Sequence, residues 1–236
     1  MIEKDKTNET LGLMVRDYLK SKGLLNLENP NALTYEDKKK ELEELFEKMI
    51  LVLGLNIDDG NLVETPKRLA KLYLNDLFYG LDWRNFPKCT AIDNEFVGYN
   101  NFVLVKDIRV VSCCSHHFMP FFGLKGLANG TATFGPGCTL AYIPNKKVLG
   151  LSKLSRIVNF LGARPNTQET LTAQIAETVS FVAETDDVAV CINANHTCMS
   201  LRGANDGTAN TVTLFCKGKF LTDNQLRTEF LGASKS

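Results

Sequence analysis

The chain contains three histidines, His116, His117 and His196, and each lies within three residues of a cysteine. Cys114-Ser-His-His117 closes a Val/Ile-rich segment, and Cys114 and His117 form a Cys-x-x-His pair close enough for both to face one metal. His196-Thr-Cys198 follows a second such segment. Residues two apart in an extended chain point to the same side, so His196 and Cys198 can share a site. Thiolate with imidazole favours Zn²⁺. No Cys-x-x-Cys hairpin supplies a closed four-cysteine centre. The supply fits three protein ligands with an open position, where zinc acidifies a bound water and two histidines are left to move protons. Taken singly, each residue also reads as an ordinary buried thiol or hydrogen-bonded imidazole.

A second group is cationic. Lys153 and Arg156 are three apart in Ser152-Lys-Leu-Ser-Arg156 and share a helix face, with Ser152 at the helix start, where free N–H groups favour an anion. The same residues read equally as a solvated surface. Gln168 and Glu169 open the next helix, and Asn166-x-x-Glu169 fits a capping box, which would make Glu169 structural.

These groups need a scaffold. Thr10–Lys20 reads as a short helix, and Thr34–Leu53 as a longer one with Leu42, Leu45, Phe46, Met49, Ile50 and Leu53 at spacings of three and four. Thr65-Pro66 reads as an N-cap and first helical proline, with the helix running to about Tyr79. The texture then changes. Asn101–Ser112, Leu140–Ile143, Val188–Ile192 and Thr211–Cys216 read as strands, and Ser152–Leu161 and Thr167–Val182 as helices between them. Strict βαβ alternation is absent, so the expected class is α+β with mainly antiparallel pairing. Gly123–Gly137 breaks the rhythm with five glycines and reads as a surface excursion, a hairpin or a flap. The expected division is a helical extension over residues 1–60 and a catalytic domain over 61–236.

Lys+Arg and Asp+Glu both number 27, so no global attraction to nucleic acid or anionic membrane is expected. No apolar run suits a membrane helix, and MIEKDKTNETLG lacks a signal-peptide core. The expectation is a cytoplasmic protein whose seven cysteines stay reduced.

From about Val63 to Leu231 the chain resembles the GTP cyclohydrolase I family. The resemblance rests on Glu64-Thr-Pro-x-Arg68, Gly80-Leu-Asp82, Cys114-x-His116-His117, Ala141-Tyr-Ile-Pro144 and Gly150-Leu-Ser-Lys153 with Arg156-Ile-Val158. Arg164-Pro165, Gln168-Glu169-x-Leu-Thr172, Gln174-Ile175, His196-x-Cys-Met199, Arg202-Gly203 and Glu229-Phe-Leu231 continue it in order. It implies the tunnelling fold, an antiparallel sheet backed by helices, with subunits joined edge to edge into pentameric rings that stack as a homodecamer and form active sites between subunits. It implies Zn²⁺ on Cys114, His117 and Cys198, with His116 and His196 as acid/base groups. It implies Ser152, Lys153, Arg156 and Arg202 at the triphosphate and ribose of GTP, and Gln168 and Glu169 at its guanine. The implied reaction is hydrolysis at guanine C8 to 7,8-dihydroneopterin triphosphate and formate. Two alternatives stand beside it: a same-fold enzyme on a related purine or pterin, and a silent zinc- and nucleotide-binding subunit.

The chain departs from the family pattern at several points. Ser115 stands where Glu is usual, Cys113 adds a thiol, and Ala209 stands where Ser is usual. Thr139 or a neighbour stands where a histidine is often found, and the Gly123–Leu140 connection is about a dozen residues longer than usual.

Overall fold

The computed structural model describes residues 4–26, 28, 33–95, 101–124 and 136–235. Helices come first. α1 (Glu9–Ser21) starts at Asn8, whose side chain accepts from the Leu11 N–H, and α2 (Tyr35–Val52) starts at a capping box between Thr34 and Asp37. α3 (Thr65–Lys71) is shorter than its sequence suggests: Glu64 occupies the cap, Pro66 is its second residue, and the chain widens into a π-helical turn over Leu72–Leu77. The sheet region holds β1 (Ala91–Asp93), β2 (Val103–Ile108), β3 (Val110–Cys114), β4 (Pro120–Gly123), β5 (Gly137–Tyr142) and β6 (Lys147–Leu149). Then come α4 (Leu151–Gly162), β7 (Pro165–Asn166), α5 (Gln168–Ala183), β8 (Val188–His196), α6 (Thr197–Ser200), β9 (Thr211–Lys217), α7 (Lys219–Thr222) and α8 (Asn224–Lys235).

The main sheet has seven strands in the order β2-β5-β8-β4-β3-β7, with β9 also on β8. All its pairs are antiparallel except β3 with β7, so the α+β expectation holds. The single strand expected over Asn101–Ser112 is two. Asp107 takes φ +57°, the register shifts between Val105 and Ile108, and the strand resumes at Val110. Aspartate tolerates this left-handed conformation better than a branched residue does, and a bulge bends the strand there.

β4 and β5 lie end to end along one side of β8. Phe122 pairs with Asn195, and Gly137 with Asn193. A Cβ on Gly123 would come within 2.5 Å of the Gly137 Cα. The two strands therefore make one line, interrupted by the chain between them. Most of the Gly123–Gly137 excursion, residues 125–135, lies outside the described residues. Deleting 124–136 joins Gly123 to Gly137 as neighbours on β8. The shortened protein is expected to fold, with a thermal midpoint within about 5 °C of the parent, an effect of at most ~1 kcal/mol, in a melting experiment.

Alternation along the central strands supplies two cores. Leu140, Val188, Val190 and Ile192 face Leu154, Ile157, Leu171, Ile175 and Val179 of α4 and α5, and Val15 and Leu19 of α1 join them. Ala141, Ala189 and Cys191 face the other way, against Phe220 and Phe230 of α7 and α8. Covering both faces lets β5 be apolar at nearly every position.

Arg164 ties the N-terminal segment to this body. It is only 2% exposed, ion-pairs with Glu28 at 2.6 Å, and stacks over Trp83 and Phe160 at 4.4 and 5.1 Å. Burial pulls its pKa down to about 10, against the Glu28 charge. Glu28→Ala leaves that cation buried without its counter-ion. It is expected to cost about 3–5 kcal/mol, read as a lower urea midpoint.

Candidate active site

Cys114 is the last residue of β3 and Cys113 the one before it, so their side chains leave opposite faces of the strand. Cys113 lines a cavity of about 190 Å³ with Val111 and Ser112, and burial pushes its thiol up to about 11. Cys114 faces the end of β8. That meeting is made by β4, through Phe121 opposite His196, and by the Thr197 hydroxyl, which donates to the Pro120 carbonyl at 2.6 Å. The short turn of α6 then returns Cys198 toward β3. The result is a trio, Cys114, His196 and Cys198, whose ligand atoms all lie within 4.8 Å of one another.

His196 is held on two sides. Its ring stacks on Phe121 with centroids 4.6 Å apart and planes 7° from parallel. Its Nε2 lies 2.8 Å from the Oε1 of Gln168. Gln168 is fully buried at the head of α5, and its amide nitrogen is within 2.9–3.1 Å of the Ile192 and Thr211 carbonyls and the Thr213 hydroxyl. Carbonyls only accept, so they fix which end of the amide is nitrogen. Oε1 must then accept from His196, which puts the proton on Nε2 and leaves the Nδ1 lone pair free in the neutral ring. Burial lowers the His196 pKa, partly opposed by Glu169, and so favours that neutral ring.

The adjacent histidines sit on the exposed turn between β3 and β4. His116 Nδ1 is 3.5 Å from the Cys114 sulfur. His117 lies outside the trio, with Nε2 3.1 Å from Nη1 of Arg202. A guanidinium only donates, so this Nε2 accepts. The Cys198 thiol is raised by burial and by Cys114, against the pull of Arg202. A bound cation reverses that preference by displacing the thiol protons.

The other sequence candidates divide. Lys153 and Arg156 lie half-buried on α4 beside Cys89, whose thiol burial raises to about 12 against these two charges. Arg156 also lines a polar cleft of about 510 Å³ with Arg109, Asn75 and Asn159. Among the described residues, no hydrogen bond or ion pair joins Ser152, Lys153 or Arg156 to the trio. Glu169 is exposed, and the capping box expected for it does not form. Thr167 caps α5 instead, accepting from Thr170, because the Asn166 amide is drawn to the Leu161 carbonyl at 3.0 Å. Sequence reasoning missed the grip of Gln168 on His196 and the stacking of Phe121. The stacking depends on β4, whose Pro120–Gly123 run was too short and proline-led to read as a strand, and the grip depends on acceptors that β8 and β9 bring around the Gln168 nitrogen.

All seven cysteines are free, and no helix among the described residues is long and apolar enough to cross a membrane. The family model described as GTP cyclohydrolase I matches residues 42–235. A protein named GTP cyclohydrolase 1 from Shewanella sp. (strain ANA-3) is 40% identical over 221 residues, 94% of this chain and 96% of its own length. Its namesake from Vibrio cholerae is 40% identical over 218 residues, 92% and 94% of the two lengths. That of Aeromonas salmonicida is 41% identical over 223 residues, 94% and 96%. With such identity along nearly the whole of each pair, this chain belongs to the GTP cyclohydrolase I family of hydrolytic enzymes.

Proposed function

We propose that the protein hydrolyses GTP at guanine C8, releasing formate and forming 7,8-dihydroneopterin triphosphate. The observation that carries this reading is the gathering of two thiols and an imidazole at one sheet end in a chain of this family. Thiolates with imidazole suit zinc, so the donor set fits the ion the reading needs. Cys114, Cys198 and His117 would hold it, His117 by turning from Arg202. Zinc there supplies Lewis acidity, making water nucleophilic near neutral pH. A second reading takes His196 as the imidazole ligand, because the folded chain already has it beside both thiols.

The remaining chemistry falls to the chain's own groups. Carbon 8 is a poor electrophile until N7 is protonated, and imidazole suits that transfer. His196 offers Nδ1, oriented by Gln168, and His116 sits on the adjoining turn. As water oxygen adds to C8, one imidazole delivers a proton to N7 and the other takes the water proton, which passes to N9 as the C8–N9 bond breaks; the formamide left on N7 is then hydrolysed by a second water at C8–N7, releasing formate. Because the amide of Gln168 is occupied within the protein, its part is to hold His196, and Glu169 accepts from the guanine N–H groups. Arg202, Lys153, Arg156 and Ser152 bind triphosphate and ribose.

The last three make no hydrogen bond or ion pair to the trio of their own chain, which fits active sites shared between subunits of a homodecamer. Uncovered apolar surface supports the same assembly: Val212 and Leu214 on the β9 edge, and Leu45, Met49 and Val52 on α2. Residues 61–236 would form the catalytic unit, with 1–60 as its helical extension. Incubating purified protein with GTP and measuring formate and, after oxidation, a fluorescent pterin tests the reaction. Neither product would end this reading. A monomer in sedimentation with undiminished specific activity would end the decamer.

A further inference from the structure

The turn that carries His116 and His117 is closed by a strained residue. Phe118 has φ +54°, a left-handed conformation costly for an aromatic side chain. Backbone bonds alone form the turn: the Phe118 N–H donates to the Cys114 carbonyl and the Cys114 N–H to the Met119 carbonyl, each at 2.8 Å. The strained backbone sends the Phe118 ring, 47% exposed, away from the sheet to meet Phe78 edge to face at 5.4 Å.

Phe78 ends the π-helical turn. Its N–H donates to the Tyr73 carbonyl five residues back, at 2.9 Å. In a regular helix, with 3.6 residues per turn, side chains five apart diverge. The wider turn brings Tyr73 and Phe78 together, with ring centroids 5.3 Å apart. Tyr73 in turn meets Phe46 of α2 at 5.2 Å. Four rings thus run without a gap from α2 to the histidine turn.

We propose that this aromatic column, Phe46–Tyr73–Phe78–Phe118, sets the position of His116 and His117, making Phe78 and Phe118 positioning residues and α2 a support of the active site. The proposal rests on the reading above, in which these histidines serve zinc and GTP. Strain at Phe118 persists because Phe78 holds its ring; without that hold the turn relaxes and both imidazoles move. Misplacement of about 1 Å is enough to slow an enzyme substantially.

Phe118→Gly tests this directly, since glycine removes the ring that Phe78 holds and leaves the backbone free to depart from its positive φ. In Phe118→Gly and Phe78→Ala, kcat for GTP is expected to fall about tenfold to a hundredfold while KM changes less than about threefold. Phe46→Ala, distant from the turn, is expected to lower kcat about threefold, and Phe118→Tyr to recover the rate lost in Phe118→Gly. A second measurement needs no turnover. Release of zinc from the loaded protein to a chromogenic chelator is expected to quicken about fivefold or more in Phe118→Gly and Phe78→Ala, since both loosen the turn bearing a ligand. The proposal is overturned if kcat and zinc release in both variants stay within about twofold of the parent, or if Phe118→Tyr is as slow as Phe118→Gly. Parent protein that makes neither formate nor pterin sinks the functional reading instead, and the zinc-release rates then decide the column alone.

Discussion

Cys198→Ala is expected to leave the protein without zinc and without measurable GTP turnover. The parent should carry about one zinc per subunit by atomic absorption, the stoichiometry of a centre with three protein ligands and one open position. Removing one thiolate leaves two protein ligands, which is too few to retain the ion through dialysis. Without it, water keeps a pKa near 15.7 rather than about 7, and no side chain of the site replaces that nucleophile. Cys114→Ala should behave in the same way. Cys113→Ala is the control, because that thiol points to the other face of β3 into its own cavity, and burial keeps it protonated. Zinc-loaded Cys198→Ala protein would refute the ligand assignment. Loss of metal from Cys113→Ala with retention by Cys114→Ala would show that the wrong face of β3 had been chosen.

His196→Ala and His117→Ala should separate along metal content. His196→Ala is expected to keep zinc and lose about 10²–10⁴-fold in turnover, the usual contribution of a general acid or base. His117→Ala is expected to lose both. The geometry makes this comparison sharp, because His196 already lies with the two thiols whereas His117 rests against Arg202. If His196→Ala is the variant that comes out metal-free, the trio as folded is the ligand set, and His117 serves beside Arg202. Gln168→Ala adds a graded test. It removes the acceptor that fixes the His196 proton on Nε2, so zinc should stay while the rate falls by less than in His196→Ala.

Much of this could be read from the sequence because period and punctuation agreed. α2, α4 and α5 were legible from apolar spacing, with Thr34 marking the start of α2, and α1 as a short helix in a polar segment. β8 and β9 were legible from their composition. The two halves of the candidate site were visible as Cys-x-x-His and His-x-Cys. What joins them was not. The pairing of Phe121 with His196 is a long-range contact made by a strand too short to have a period. The π-helical turn at Leu72–Leu77 carries no sign that distinguishes it from a continuing helix, so the helix seemed to run on to Tyr79. Asn166 looked like a cap because spacing cannot reveal that the Leu161 carbonyl competes for its amide. The grip of Gln168 on His196 requires knowing that three acceptors from β8 and β9 surround its nitrogen.

The seam between Gly123 and Gly137 has a consequence for how this chain can change length. In an ordinary hairpin one added residue can slip the register and turn every following side chain to the other face. Here each flank is anchored separately: β4 to β3 and β8, β5 to β2 and β8. Inward and outward positions on either side are therefore set without reference to the number of residues between them. Odd and even lengths are equivalent at this point, and a foreign peptide can be spliced in without any phase-matching to the sheet.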